Sequence, residues 1–182
     1  MASSTAPEPV AMPGATAYVP SIVRGRSGAD QPYVFPLREL IVQTLLRRYL
    51  AVQANLIGLL RSARITGLDA RALEVLGEKA FPEGHVDILI KEATPMGMGR
   101  KVVVEVKLGA ATGANIAQLR LYMERLGEEC AGGVLVAGRF GKRILKQAAE
   151  QGIACSQYSL EGLGDTPLDC GSLLSHFRLT PV

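Results

Sequence analysis

The chain has 182 residues, of which 48% are hydrophobic and 20% are charged, and its formal net charge is +3. This length suits one domain with a single core, and the composition excludes a chain that is disordered throughout. The small positive charge neither indicates nor excludes nucleic-acid binding.

The cysteines and the hydropathy pattern predict a cytoplasmic protein. Cys130, Cys155 and Cys170 lie far apart, form no CxxC pair and accompany no histidine cluster. We therefore expect reduced thiols rather than disulfides or a zinc or iron–sulfur site. No apolar run reaches the roughly 18 residues that a membrane span needs, and the N-terminus lacks a secretory signal pattern, so we expect no membrane contact.

Prolines dominate the beginning of the chain. Six of the ten prolines fall within the first 36 residues, among alanine, serine and threonine. Proline disrupts helices and central strands, so residues 1–31 are expected to form a flexible arm, in which Ile22 and Val23 could still pack. Residues 32–182 are expected to form a single domain.

The periodicity after Pro36 predicts a long helix. Proline suits a first helical position, and apolar residues recur at helical spacing through Leu37, Leu45 and Val52. We expect a break near Asn55 and Gly58. Residues 72–81 then predict a first strand or a transition from helix to strand.

The following segments alternate between strand and helix patterns. Residues 85–90 and 101–108 are short and rich in β-branched residues, and the turn-forming sequence between them predicts an antiparallel hairpin. The remaining predicted elements are a helix over 112–129, a strand over 132–138, a helix over 141–152 and a strand over 153–160. This order predicts an α/β sandwich around one mixed sheet, whereas residues 161–182 support no prediction.

Charged residues interrupt the two predicted hairpin strands. Strict alternation would place Asp87 on the same face as Leu89 and opposite Val86, and would place Glu105 beside Lys107. Both faces of both strands are largely apolar, as in central strands that are covered on both sides. Burying two carboxylates costs several kcal/mol unless cations or hydrogen bonds compensate, so these charges suggest a functional site.

A hypothetical register brings the two carboxylates together. If Lys91 pairs with Lys101, Asp87 and Glu105 become direct neighbours with Cβ atoms about 5 Å apart. Such an oxygen-rich pair suits Mg²⁺ or Mn²⁺. Lys107 could reach the same place and hold an attacking water or stabilise charge on a phosphate. The alternative is a surface salt bridge between Glu105 and Lys107, with Asp87 at the end of a turn.

These residues resemble the PD-(D/E)XK nuclease superfamily. The sequence "GHVDILI", a separation of 18 residues from Asp87 to Glu105, and "VVVEVKLG" match the D, E and K of its motif, although Val86 stands where the name has proline. The "AQLRLY" segment places Gln118 and Tyr122 in the Q-x-x-x-Y spacing of RecB-like and archaeal NucS-type nucleases. The resemblance covers about residues 36–158.

The resemblance implies a restriction-endonuclease-like three-layer sandwich with an αβββαβ core. It also implies Mg²⁺- or Mn²⁺-dependent hydrolysis of DNA. The metal would bind Asp87, Glu105, the carbonyl of Val106 and Glu39. Lys107 would position the nucleophile. Gln118 and Tyr122 would contact the DNA backbone or the lysine, although Tyr122 could simply pack in the core.

We therefore expect a nuclease acting on single-stranded, branched or non-specific DNA through its phosphate backbone. The alternatives are a non-catalytic DNA-binding or assembly subunit with the same fold, a Holliday-junction resolvase and a nuclease acting on RNA, with RNA the less favoured substrate. A homodimer would suit cleavage of symmetric DNA.

Overall fold

The computed structural model of the protein describes residues 21–23, 34–81, 84–93, 99–162 and 168–182. The strands in the described part are β1 (Ser21–Val23), β2 (Val34–Pro36), β3 (Leu73–Phe81), β4 (Gly84–Glu92), β5 (Lys101–Ala110), β6 (Cys130–Arg139), β7 (Ile153–Leu160) and β8 (Phe177–Pro181). The α-helices there are α1 (Glu39–Leu50), α2 (Gln53–Ser62), α3 (Gly113–Leu126), α4 (Lys142–Glu150) and α5 (Cys170–His176).

The main sheet runs in chain order from β3 to β8. The strand β4 is antiparallel to both of its neighbours, β3 and β5, whereas β5, β6 and β7 are parallel, and β8 returns antiparallel to β7. Parallel neighbours need crossover connections, which α3 and α4 supply. The predicted mixed sheet is therefore confirmed.

Helices cover both faces of this sheet. On one face α1, α2 and α5 pack against apolar residues that include Ile88, Val104 and Val136. On the other face α3 and α4 pack against residues that include Leu89, Val103 and Leu135. The predicted three-layer arrangement and the αβββαβ order from α1 to β6 are confirmed.

The helical region breaks earlier than the sequence predicts. The helix α1 ends at Leu50 and α2 begins at Gln53, so the break lies before Asn55, and Gly58 lies inside α2. The Asn55 side-chain amide donates to the Tyr49 carbonyl at 2.9 Å. This bond adds a second donor to a carbonyl that also accepts from the Val52 N–H at 3.3 Å, where α1 ends.

Part of the expected N-terminal arm packs on the domain. The strand β1 pairs in parallel with β2, and Ile22 and Val23 are buried, as their apolar character allows. The rest of residues 1–31 lies outside the described residues, as does the tip of the predicted hairpin at 94–98.

The three cysteines, Cys130, Cys155 and Cys170, are free in the structure. Burial raises the pKa of Cys155 to about 11, so its reactive thiolate is scarce at neutral pH. Among the described helices, none is long and apolar enough to cross a membrane.

Candidate active site

The strands β4 and β5 separate at the two predicted carboxylates, Asp87 and Glu105, and we call this point of separation the fork. Their pairing runs from Lys91–Lys101 to Ile88–Val104, which confirms the predicted register. Asp87 and Glu105 are the next residues on each strand. The Asp87 Oδ2 atom accepts a hydrogen bond from the Val106 N–H at 2.7 Å. A side chain therefore satisfies a β5 amide at the point where the pairing with β4 ends.

The alternation of side chains in β4 breaks at Asp87. Ile88 packs on the α1 side of the sheet and Val86 packs on the α3 side, although strict alternation would place them together. Asp87, between these two residues, lines a cavity beneath α1. The predicted placement of Val86 on the face opposite Leu89 is therefore wrong. The departure of β4 from β5 lets the strand turn about its axis there.

Glu105 is a buried acid within an apolar strand. Its side chain is 1% exposed, and Oε1 lies 3.0 Å from the Lys107 Nζ atom. In the part of the chain that the structure describes, its Oε2 atom is buried without a hydrogen-bond partner. Burial and the nearby charge of Asp87 raise the pKa of Glu105 from 4.5 to about 7, against the opposing effect of Lys107.

Lys107 links Glu105 to α1. Its ammonium donates to Glu39 Oε1 at 2.8 Å, and the Leu108 N–H donates to Glu39 Oε2 at 3.1 Å. Burial disfavours the charged lysine, but its bonds to Glu39 and Glu105 outweigh that effect and raise the pKa of Lys107 to about 12. Lys107 is therefore a permanent cation at neutral pH, suited to holding negative charge or a water molecule and unsuited to acting as a general base.

The residues fit a divalent cation in part. Mg²⁺ commonly takes one or two carboxylates from a protein and keeps several waters, which Asp87 and Glu105 match. The buried, unpartnered Oε2 of Glu105 is an oxygen suited to such an ion. Among the described residues, however, no three acidic, histidine or cysteine side chains are grouped to hold a metal. Glu39 uses both carboxylate oxygens on Lys107 and Leu108, so its role as a ligand stays a prediction.

Gln118 and Tyr122 lie on α3 and contact the beginning of β4. The buried Tyr122 hydroxyl donates to the His85 carbonyl at 3.0 Å and accepts from the Gln118 amide at 3.1 Å. It also lies where a Cβ on Gly84 would come within 2.7 Å. These contacts hold the strand that carries Asp87. The predicted contacts of both residues with DNA or the lysine stay predictions.

The sequence also contains a polar stripe on α1, of which the family resemblance implies a role only for Glu39. Glu39, Gln43 and Arg47 are spaced four residues apart, so they lie along one face of α1. Gln43, Arg47 and Asp87 line the same cavity. This recurrence of polar residues at every fourth position of α1 could have identified them.

No protein-family model matches the chain. No curated protein matches it either.

Similar solved structures include a repair endonuclease and two structures of EndoMS. A repair endonuclease from Pyrococcus abyssi is 25% identical, over 58% of this chain and 44% of that one, with a TM-score of 0.39. EndoMS in a complex with double-stranded DNA is 25% identical, over 58% of this chain and 42% of that one, with a TM-score of 0.38. EndoMS in its apo form is 18% identical, over 57% and 44%, with a TM-score of 0.35. The matched part therefore spans less than half the length of these proteins.

Proposed function

We propose that the protein is a metal-dependent deoxyribonuclease that hydrolyses phosphodiester bonds in single-stranded, branched or non-specific DNA. The observation that carries the proposal is Glu105, a buried acid with an unpartnered oxygen, held beside Asp87 and the cation of Lys107. A purely structural salt bridge would place such a pair at the surface, where little desolvation opposes it.

The residues of the fork, together with Lys107 of β5 and Glu39 of α1, each have a role in this proposal. Asp87, Glu105 and the Val106 carbonyl would hold Mg²⁺ or Mn²⁺, with Glu39 as a further ligand. The bound cation would acidify a water and offset charge on the phosphate. Lys107 donates a hydrogen bond to the attacking water or to a phosphate oxygen, and Glu39 holds Lys107 in place. Water adds to phosphorus as the P–O bond breaks, so the products carry a phosphate and a hydroxyl group.

Cleavage assays on defined substrates test this function. Purified protein is incubated with labelled single-stranded, flap, junction and RNA substrates in Mg²⁺ or in EDTA. We expect the wild-type protein to cut the DNA substrates in Mg²⁺ and not in EDTA. The Glu105→Gln variant should give no products in either condition. Preferential cutting of junctions would indicate a resolvase, and preferential cutting of RNA would replace the DNA assignment. Light scattering of the same protein would test for the homodimer.

Two observations favour a second candidate, a non-catalytic DNA-binding or assembly subunit. Within the described ranges no three-residue metal cluster is formed, and Glu39 is engaged by Lys107. Binding of DNA without metal-dependent cutting, unchanged by Glu105→Gln, would support this candidate and refute the catalytic proposal.

A further inference from the structure

A cavity of about 260 Å³ lies between α1 and the strands β3 and β4, beside the fork. Its polar wall is formed by Gln43, Thr44 and Arg47 of α1 together with Asp87 of β4. We call this cavity the Arg47 cleft. Its volume is slightly below the range of about 300–1,000 Å³ that is typical of sites for complete small ligands, so it suits one unit of a longer polymer.

Among the described residues, the side chains of Gln43 and Arg47 in the Arg47 cleft have no hydrogen-bond partner. The Thr44 hydroxyl donates to the Leu40 carbonyl at 2.8 Å and is therefore occupied. In the described portion of the chain, by contrast, neither the Gln43 side chain nor the Arg47 side chain has a hydrogen-bond or ion-pair partner. A guanidinium and an amide thus face one recess with their donors available to a ligand.

The backbone of β3 makes room for the guanidinium. A Cβ atom on Gly77 would come within 2.9 Å of Arg47 Nη1. Glycine at this position therefore lets Arg47 lie against the strand, inside the wall of the cleft. The neighbouring Arg48 has the same charge, and it does not line the cavity.

We propose that the Arg47 cleft binds a backbone phosphate of the DNA strand, adjacent to the phosphate that reacts at Asp87 and Glu105. The proposal rests on the proposed function, because Asp87 forms part of both sites. The guanidinium fork matches two phosphate oxygens, and the Gln43 amide supplies a further donor. The Asp87 carboxylate repels an uncompensated anion, so this phosphate lies at the Arg47 end of the cleft. Arg47 is thereby a positioning residue that sets the path of the strand across the fork.

Binding of single-stranded DNA in EDTA tests the Arg47 cleft independently of cleavage. Fluorescence anisotropy of a labelled oligonucleotide gives the dissociation constant between about 50 and 200 mM salt. We expect Arg47→Ala to weaken binding about fivefold to tenfold and to reduce the salt slope by about 0.7, the value for one phosphate of a single strand. The matched control Arg48→Ala should change affinity by less than about twofold, because it removes an equal charge outside the cleft.

A second variant keeps the arginine and displaces it. Gly77→Val introduces a branched side chain where Arg47 lies and suits a β-strand, so we expect a loss of affinity close to that of Arg47→Ala, with an unchanged circular dichroism spectrum. Equal effects of Arg47→Ala and Arg48→Ala would overturn the proposal. So would unchanged binding by folded Gly77→Val, or no DNA binding by the wild-type protein. Binding that depends on Arg47 in a protein that never cuts DNA would support the Arg47 cleft and refute the nuclease proposal.

Discussion

Replacing Glu105 by glutamine should stabilise the metal-free protein at alkaline pH. The glutamine keeps the shape of the side chain and removes the buried charge, while Lys107 retains its hydrogen bond to Glu39. The wild-type carboxyl is protonated at low pH and resembles glutamine there. The two proteins should therefore differ most when Glu105 is ionised.

The magnitude follows from the pKa of Glu105. Folding raises that pKa from 4.5 to about 7, and each pKa unit corresponds to about 1.4 kcal/mol. Between these two pH values the folded protein binds more protons than the unfolded chain, so the wild-type free energy of unfolding falls as pH rises. Its deficit relative to Glu105→Gln should be absent below pH 4.5 and reach about 3 kcal/mol above pH 7.

Urea denaturation of both proteins measures this difference. The chain has no tryptophan, so far-ultraviolet circular dichroism is the appropriate signal. The matched control is Glu74→Gln, because Glu74 also pairs with a strand lysine, Lys91, at 3.0 Å, but is 46% exposed. Such an exposed pair contributes at most about 1 kcal/mol, so the control should show little pH-dependent change. Saturating Mg²⁺ should stabilise the wild type more than Glu105→Gln, because a ligand bound only by the folded state adds to stability.

Two results would contradict the titration of the buried Glu105 carboxyl. If the stability difference between wild type and Glu105→Gln is constant from pH 4.5 to 8, then Glu105 does not titrate in the range that its burial implies. If Glu74→Gln reproduces the pH-dependent difference, the effect belongs to strand ion pairs in general and not to the buried carboxyl.

Three further variants test the neighbouring contacts. Lys107→Met should reduce the free energy of unfolding by about 3 kcal/mol at pH 8, because it leaves the Glu105 charge buried and unpaired. The loss should be much smaller at pH 5, where Glu105 is protonated. Equal losses at both pH values in urea titrations would contradict this. Tyr122→Phe should cost about 1 kcal/mol through its lost bond to the His85 carbonyl while DNA affinity in EDTA stays the same, and a large loss of affinity would instead assign Tyr122 to the DNA surface. Gly84→Ala should lower the free energy of unfolding by about 1–3 kcal/mol, because Gly84 has a φ of +144° and a Cβ there would lie 2.7 Å from the Tyr122 hydroxyl. An unchanged midpoint in thermal and urea unfolding would refute the close approach.

The central hairpin could be predicted because its sequence allows few registers. Both strands are apolar on both faces, and the lysine pair Lys91–Lys101 marks the end of the ladder near the turn. The break in alternation at Asp87 could not be predicted in this way. It depends on where β5 diverges from β4 and on the Val106 N–H that the aspartate accepts, which are both tertiary features.

The C-terminal segment illustrates the same limit. Residues 161–182 show no clear periodicity, yet α5 and β8 form there, and Phe177 is fully buried between Tyr49 and Tyr158. Both elements are short, and β8 ends in proline, so neither is favoured by local propensity. They are stabilised by pairing with β7 and by packing against α1.

The buried carboxyl also bears on why the fork exists. A continuous β4–β5 ladder would satisfy the Val106 N–H with a strand carbonyl and would leave Asp87 no backbone partner there. The fork lets Asp87 take that role, and Glu105 remains buried beside it at a cost of about 3 kcal/mol when ionised. Since domains are stable by only about 5–15 kcal/mol, this loss of stability is large, and a glutamine at the same position would avoid it if the residue served folding alone. The loss of stability is explained if the same desolvated Glu105 oxygen binds a cation in the functional protein. The pH and Mg²⁺ dependence of stability therefore tests function as well as folding.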